Sequence, residues 1–475
     1  MLNFSDYPKA SRVFYFFEEI SKIPRASGNT AQIAEYLVSF AVEHGLEYLR
    51  DEADNVVIRK PATPGYEGHA GVIFQGHTDM VPAVCGGCDF NFDTDSLRLY
   101  RDGDFLRAKG TTLGADDGIA IAYALAVLDS DTIAHPDFEA VFTSDEETGL
   151  IGAKALSADS VKGRLLINID SDAEGIFTVG CAGGLRCDLT AQMSTEKANG
   201  YLCSLSLSGL RGGHSGVEIN KGRVNAIKKL GEILVQLGEV SLSVLHGGNA
   251  DNAIAREASA TFVCDGAVKD RLKSVCEEAR AALVSLGECD AEIDYAYTDD
   301  SADVLSKKDS ESVISLINAM PSGVIAMSED IEGLVETSQN MGIISLLDGK
   351  LSLAVSVRSA KGTEKRRAAD NIAALAKEHG VAVREHSEYP AWEYKQVSAL
   401  RPVACEVYEK MYGKAPEVII IHAGLECGIF SDKIEGLDSI SLGPDNFDIH
   451  TPEERLSLSS AARVWEYLIE LLRNL

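Results

Sequence analysis

VFTSDEETG, residues 141–149, decides how this chain reads. Val141, Phe142 and Thr143 close an apolar run, residues 138–143, that suits a buried strand. The run then breaks into three consecutive acids, Asp145, Glu146 and Glu147. Near a core, each such carboxylate raises the cost of ionising the others. Either they stand in water or a cation needs them. The same juxtaposition recurs nearby. GVIFQG (71–76) runs into His77-Thr78-Asp79, and LLINI (165–169) runs into Asp170. The loop GTTLGADDG (110–118) carries Asp116 and Asp117 into a helix rich in Ala and aliphatics, residues 118–128. Unbroken apolar strands alternating with helices predict an α/β fold: a mostly parallel sheet with helices on both faces. Ligands of such sheets collect at the carboxyl ends of the strands, where these acids and His77 fall.

Working outward, residues 29–44 read as an amphipathic helix, with Ile33, Leu37 and Phe40 on one face and Gly45 past its end. Near residues 180–184 the texture changes. Residues 202–207 alternate like a half-exposed strand, 222–237 and 267–286 are helical, and 343–357 form two strands around Asp348-Gly349, a hairpin signal. This is the pattern of helices on one face of an antiparallel sheet. From about Ala399 the first texture returns, with a helix to Tyr412, a buried-looking strand at 418–421, another near Ile440 and a last helix from Ser459. Past the strand near Ile440, a loop ends at His450. The expected organisation is one α/β domain, residues 1–186 and 399–475, interrupted by an inserted α+β domain, residues 187–398. The insert is long enough for two similar units, although no repeat is visible.

A chain of 475 residues is too long for one ordinary core. With 44 Lys plus Arg against 73 Asp plus Glu, the formal net charge is -29, which repels nucleic acid and anionic membrane and favours cations. The first residues lack a basic start, a long apolar run and a cleavage site, so no signal peptide is expected. The longest uncharged apolar stretch, 119–128, is too short to span a bilayer. A cytoplasmic setting with reduced thiols follows for the 10 Cys. Cys85-Gly86-Gly87-Cys88 has no second pair at zinc-finger spacing and reads as a loop with two thiols.

Imidazole and carboxylate together suit zinc and similar divalent ions. In H-x-D on a strand, His77 and Asp79 point to the same side; the carboxylate takes one imidazole proton and turns the other nitrogen to a metal. Several other histidines, among them His69, His135, His379 and His386, read as solvent-facing loop or helix-end residues, and His44 as a surface residue at a helix end. Asp145 and Asp172 read as loop stabilisers acting through backbone N–H groups. Trp392 and Trp465 read as packing.

QGHTDMV (75–81), LGADDGI (113–119), TSDEETG (143–149), INID (167–170), GLRGGHSG (209–216), NAIAREA (252–258), SVRS (356–359), HAGLECGIF (422–430) and the late His450 occur in this order. Together they resemble the cytosolic aminoacyl-histidine dipeptidases, of the two-zinc superfamily that also holds aminoacylases, tripeptidases and glutamate-type carboxypeptidases. The resemblance runs from about residue 15 to the C-terminus. It implies one metal on His77, Asp116 and Asp170 and a second on Asp116, Glu147 and His450, with Asp116 bridging. It implies Glu146 as general base, Asp79 as the residue orienting His77, and water bridging the metals as nucleophile. His214 would stabilise the oxyanion. Asn252 and Arg358 would hold the substrate carboxylate, and the loop around His422 and Gly424 would border the pocket. The Asp116–Asp117 peptide bond would be cis. Zinc is the implied ion, with manganese or cobalt as alternatives. The partner is a small peptide. A homodimer in which His214 crosses to a second copy, and a single chain in which it acts in cis, both stay open. The segment PAVCGGCDFNFDTD (82–95) departs from the pattern and bears on side-chain specificity.

The chemistry is consistent with those roles. Two metals roughly 3.5–4 Å apart supply an activated water and a polarised carbonyl, and a carboxylate beside that water moves its proton to the leaving amine. Arg358 suits a terminal carboxylate because its planar fork bonds both oxygens. The expected function is hydrolysis of dipeptides with a free carboxylate, Xaa-His and β-alanyl-histidine included. A tripeptidase or N-acyl amino acid deacylase is the alternative. A metal-binding scaffold without catalysis is the different-class reading, and it would lack the base or a ligand, all of which are present.

Overall fold

Four strands, Phe138–Thr143, Val72–His77, Leu165–Asn168 and Asp438–Ser441, run parallel and side by side in the middle of an eight-stranded sheet. The computed structural model describes residues 2–329, 331 and 333–475. Alternate residues of these strands face opposite sides. Val72, Phe74, Phe138, Ala140, Phe142, Leu165 and Ile167 join one large core cluster. Ile73, Val141 and Leu166, between them, are equally buried outside it. Both faces are therefore covered, which is why the strands read as continuous apolar runs. Glu47–Arg50 and Val56–Lys60 extend the sheet antiparallel on one side.

Helix Ala115–Asp129 is buried nearly all round, which accounts for its Ala and aliphatic content. Helix Ser11–Ile20 lays Val13, Phe14, Phe16, Phe17 and Ile20 into the same cluster. Each such aromatic or aliphatic side chain contributes roughly 1.5–3 kcal/mol of burial. Helices Ala31–Glu43, Leu400–Tyr412 and Leu458–Asn474 complete the cluster. Strand Val72–His77 passes close to helix Ala115–Asp129, and only glycine fits at 76, where a Cβ would collide with the Asp117 carboxylate and Ala120.

The chain divides into two compact units. The first is residues 1–180, 394–420 and 425–475; the second is Cys181–Glu393 and Ile421–Gly424. The second unit contains an antiparallel sheet whose main path runs Glu292–Leu305, Thr195–Ser208, Ala258–Cys264, Ser241–Gly247, Val335–Leu347, Lys350–Ser359, Gly183–Gln192 and Ala382–Tyr389. Its long strands and helices Ala226–Leu237, Gly266–Ser285, Lys307–Ala319 and Gly362–Glu378 share one core cluster. The one sheet holds two halves of the same order: Thr195–Ser208, Ser241–Gly247, Ala258–Cys264 and Glu292–Leu305 make one, Gly183–Gln192, Val335–Leu347, Lys350–Ser359 and Ala382–Tyr389 the other, each with one helix after its first strand and one after its third, and they join edge to edge through Ser241–Gly247 and Val335–Leu347.

Three local expectations change. Strand Glu417–Ile421 is exposed to half-buried rather than buried, because it stands at the end of the eight-stranded order. His135 is fully buried rather than solvent-facing: its backbone pairs with Thr63 in both directions, and the ring sits 2.7 Å from Pro136 O and 5.8 Å from the Phe138 ring. Cys85 and Cys88 form a disulfide rather than two thiols; the turn closed by Cys88 N–H on Cys85 O at 3.1 Å holds their Cα atoms 5.6 Å apart, within bridging range. Among the described residues no helix is long and apolar enough to cross a membrane.

Candidate functional site

The parallel register brings the strand ends level. His77 pairs with Thr143, and Gln75 with Asn168, so His77, the 145–147 acids and Asp170 leave the sheet at one edge. The helix lead-in supplies Asp116. The cis Asp116–Asp117 peptide is present. Asp117 itself is buried and accepts the His77 backbone N–H at 3.2 Å.

Asp116 stands between two histidines. Its Oδ1 is 3.0 Å from His77 Nε2, and its Oδ2 is 3.1 Å from His450 Nε2. Asp170 Oδ1 lies 3.8 Å from His77 Nε2, and Glu147 Oε1 lies 2.8 Å from His450 Nε2. Among the described residues, three groups have ligand atoms all within 4.8 Å of one another: His77/Asp116/Asp170, Asp116/Glu147/His450 and His77/Glu146/Glu147. Glu147 Oε1 is buried without a hydrogen-bond partner although an imidazole nitrogen is 2.8 Å away. Atoms that converge without bonding are aimed at a common point, as metal ligands are. The donor set, imidazole nitrogen and carboxylate oxygen, fits divalent ions of the zinc type.

The electrostatics agree. Burial pushes Glu146 up to about 8 and raises Asp170 well above the carboxylate range. The Asp116 and Glu147 carboxylates beside it hold His450 up to about 10. Burial drives His77 down, but hydrogen bonds to Asp116 and Asp79 more than reverse it. Burial also opposes ionisation of Asp116, and its two imidazole partners overcome that and keep it ionised. The cluster gathers protons on both histidines and carboxyls, as a negative site does; divalent cations meet the same demand.

Asp79 carries more than the sequence suggests. Its carboxylate is 3.3 Å from His77 Nδ1, and its backbone carbonyl is 3.1 Å from the same nitrogen. The carboxylate also accepts the backbone N–H of Glu146 at 2.9 Å and of Glu147 at 3.3 Å, and the Ser27 hydroxyl at 2.8 Å. It therefore fixes both His77 and the acidic loop. Asp145 adopts φ +49° and accepts the Gly28 N–H at 2.6 Å, which turns it away from its two neighbours. Asp172 is held by the Asn446 side chain rather than by backbone N–H groups, and burial pushes it up to about 7.

Three buried charged residues around these loops, Glu426, Arg25 and Glu454, lie outside the sequence reading. Glu426, within HAGLECGIF, accepts from Gln75 Nε2 at 2.5 Å and Thr143 Oγ1 at 2.7 Å. It ties the strand that ends in His77 to the strand that precedes the acids. Burial raises its carboxyl to about 7. Arg25 donates to the carbonyls of Thr78, Asp79 and Gly114, and Glu454 accepts the N–H groups of residues 113–116. Only Glu426 had a signal, its place in a recognised motif.

The second unit groups the remaining candidates. Gly213–His214 pairs with Ala253–Ile254, and Ser215 N–H donates to Asn252 O at 2.8 Å, so His214 and Asn252 are neighbours. His214 Nδ1 accepts the N–H groups of Gly216 and Val217 at 3.2 and 3.3 Å, which leaves the ring proton on Nε2. Asn252 is exposed. Arg358 donates to Tyr389 Oη at 2.9 Å, its Nε is buried without a partner, and among the described residues no carboxylate pairs with it. The Tyr389 ring packs on Gly424, where a Cβ would come within 2.8 Å of it. His422 Nε2 is 2.7 Å from Ser338 Oγ.

Burial, aided by Arg358, drives His422 down to about 4. Its folded pKa lies below the unfolded value near 6.5. Between these values the unfolded state binds more protons, so stability is intact above pH 6.5 and is lost as pH falls towards 4. The loss from pH 7 to 4.5 is about 2–3 kcal/mol. Urea unfolding at the two pH values, for the wild type and His422→Asn, checks it: the variant should lose less by that amount. Equal losses would remove His422 as the source.

Residues 73–474 match the family described as Peptidase family M20/M25/M40. The chain is 36% identical over 471 residues to the cytosol non-specific dipeptidase of Escherichia coli (strain K12), covering 97% of this chain and 96% of the relative. It is similar to the crystal structure of aminoacylhistidine dipeptidase from Vibrio alginolyticus, with a TM-score of 0.89 and 35% identity over 98% of this chain and 96% of that one. Aminopeptidase PepT from Bacillus cereus ATCC 10987 shares the fold at a TM-score of 0.56 and 17% identity, covering 98% of each chain. With a match across most of its length and a relative this similar end to end, the chain belongs to peptidase family M20/M25/M40.

Proposed function

We propose that this protein is a metal-dependent dipeptidase that hydrolyses dipeptides with a free carboxylate, Xaa-His among them. The observation that carries this is Asp116, which offers one oxygen to each of two convergent His/carboxylate groups. Family membership and the dipeptidase names of the two similar relatives support it. Residues 1–186 and 399–475 are the catalytic domain in this proposal, and residues 187–398 the lid.

His77, Asp116 and Asp170 hold one ion; Asp116, Glu147 and His450 hold the other. Zinc suits the donor set. Bound there, the two ions polarise the scissile carbonyl and lower the pKa of the attacking water. Glu146 takes the proton of that water and returns it to the leaving amine. Asp79 keeps the His77 ring and the Glu146 backbone in place through the contacts above. His214, with its proton on Nε2, donates to the developing oxyanion. Arg358 and Asn252 bind the substrate carboxylate, and the His422–Gly424 turn supports Arg358 through Tyr389. A cytoplasmic setting is proposed from the name of the Escherichia coli relative.

A substrate panel tests the reading: free dipeptides including Ala-His and β-Ala-His, their C-terminal amides, tripeptides and N-acetyl amino acids. A charge-assisted bond to the carboxylate is worth about 1.5–3 kcal/mol. Amidation should therefore lower kcat/KM by roughly 10- to 150-fold. Turnover of N-acetyl amino acids alone would replace the dipeptidase reading with a deacylase.

A further inference from the structure

Glu454 stands four residues after His450, is almost fully buried, and spends both carboxylate oxygens on backbone far away in sequence. Oε2 accepts the N–H groups of Leu113 at 2.8 Å and Gly114 at 2.9 Å. Oε1 accepts those of Ala115 at 2.8 Å and Asp116 at 3.3 Å. These four amides lie in the lead-in to helix Ala115–Asp129, where Gly114 is left-handed and Asp116 and Asp117 have non-helical backbone angles, so they stand outside the regular helical ladder. Successive backbone N–H groups gathered this way make a concavity that attracts an anion. The N-cap residue here is Gly114, which has no side chain to offer.

An Asp beside free backbone amides is itself drawn to them. Asp116 and Asp117 both belong to this lead-in. Because Glu454 occupies the amides, both oxygens of Asp116 stay free for His77 and His450. The partners of Glu454 are also set by the chain that carries His450. Arg455–Ser457 pairs antiparallel with Phe105–Ala108, and Asn446–Phe447 pairs back on Arg455–Ser457, leaving His450 in the hairpin loop at φ +63°. Glu454 is thus the polar link between the His450 loop and the Asp116 loop.

A buried carboxylate is costly without hydrogen bonds and a counter-charge. The four amides supply the first. Arg25 contributes to the second without a direct ion pair: it is buried, it donates to Thr78 O at 3.0 Å, to Asp79 O at 3.3 Å and to Gly114 O, and Glu454 is the strongest of the charges acting to keep it protonated. Gly114 is therefore held by its carbonyl to Arg25 and by its N–H to Glu454.

We propose that Glu454 is a positioning residue of the metal centre: by capping residues 113–116 from the His450 loop, it sets the approach of His450 to Asp116 and so the affinity of the Asp116/Glu147/His450 group. The proposal rests on the two-metal reading above.

The test is calorimetric titration of the metal-stripped full chain with Zn2+, alongside kinetics. Glu454→Gln keeps the size but leaves one acceptor oxygen, and its NH2 faces N–H donors. The wild type should take up two equivalents. Glu454→Gln should keep one at wild-type affinity and bind the other 10- to 100-fold more weakly, the range that ligand-supporting groups command. kcat should fall with occupancy, KM for a dipeptide should change less than threefold, and excess Zn2+ should restore kcat. Glu453→Gln, at the exposed neighbour, should match the wild type. If Glu454→Gln does not fold, Glu454→Asp carries the test, with the charge kept and the reach shortened. Two unaltered affinities in the folded variant overturn the proposal. So does equal weakening of both sites together with a lower Tm of the metal-free protein, which is a merely structural role. A wild type that takes up fewer than two equivalents instead overturns the two-metal reading, and this proposal with it.

Discussion

Glu146→Gln should lower kcat by about 10²–10⁴-fold, the range for loss of a positioned acid–base group, and should leave metal content unchanged. Gln has the shape of Glu, and the backbone N–H at 146 keeps its bond to Asp79. What it loses is the ability to hold a proton. Burial pushes the Glu146 carboxyl up to about 8, against the pull of His77, and cations bound beside it would draw it back down to where it can take a proton from water and give it up again. The acidic limb of the kcat/KM profile should also disappear: it is the limb on which Glu146 picks up its proton before the reaction starts. The structure makes this a sharp test, because Glu146 also belongs to a third possible ligand group with His77 and Glu147. A variant that loses an ion along with its activity would make Glu146 a ligand. A variant that keeps its ions and more than a tenth of its rate would end the base assignment.

Most of the proposed metal centre was legible because parallel strands leave little freedom. Once residues 72–77, 138–143 and 165–168 are strands of one parallel sheet, the residues after them must emerge at one edge, and His77, the acids 145–147 and Asp170 follow. Which of the three acids to propose as a ligand, and the roles proposed for Asp116 and His450, needed the motif resemblance, since loops have no period to read. Glu454 was invisible for a related reason. Its carboxylate serves backbone N–H groups 338–341 positions away, and backbone leaves no mark on sequence. Arg25 serves carbonyls in the same way. His135 failed because a short polar loop reads as solvated until something is seen to fold over it. The strand at 417–421 failed because Val and Ile suit an edge as well as a centre, and only the sheet order separates the two.

Asp116→Ala should abolish both metal sites and activity together, whereas His77→Ala and His450→Ala should each weaken one. The asymmetry follows from the two oxygens of Asp116, one 3.0 Å from His77 Nε2 and the other 3.1 Å from His450 Nε2. No other residue belongs to both of these groups. Ions that polarise a carbonyl and activate water supply several kcal/mol, so the rate should fall on the order of 10³-fold or more. Asp116→Asn separates charge from geometry. Its single carbonyl oxygen can serve one group, and its NH2 cannot serve the other, so one ion should remain at reduced affinity. Chelation of the wild type should reproduce the Asp116→Ala state, and chelator should then have no further effect on the variant. It should also loosen residues 144–149: Glu146 and Glu147 keep their N–H bonds to Asp79, but their charges and that of Asp170 lose the cations that offset them. Amide exchange over residues 144–149 should quicken on chelation while strand 138–143, buried on both faces, stays protected. If Asp116→Ala retained one tightly held ion, the two groups would not share a ligand, and the three acids after Thr143 would have to serve some other cation arrangement.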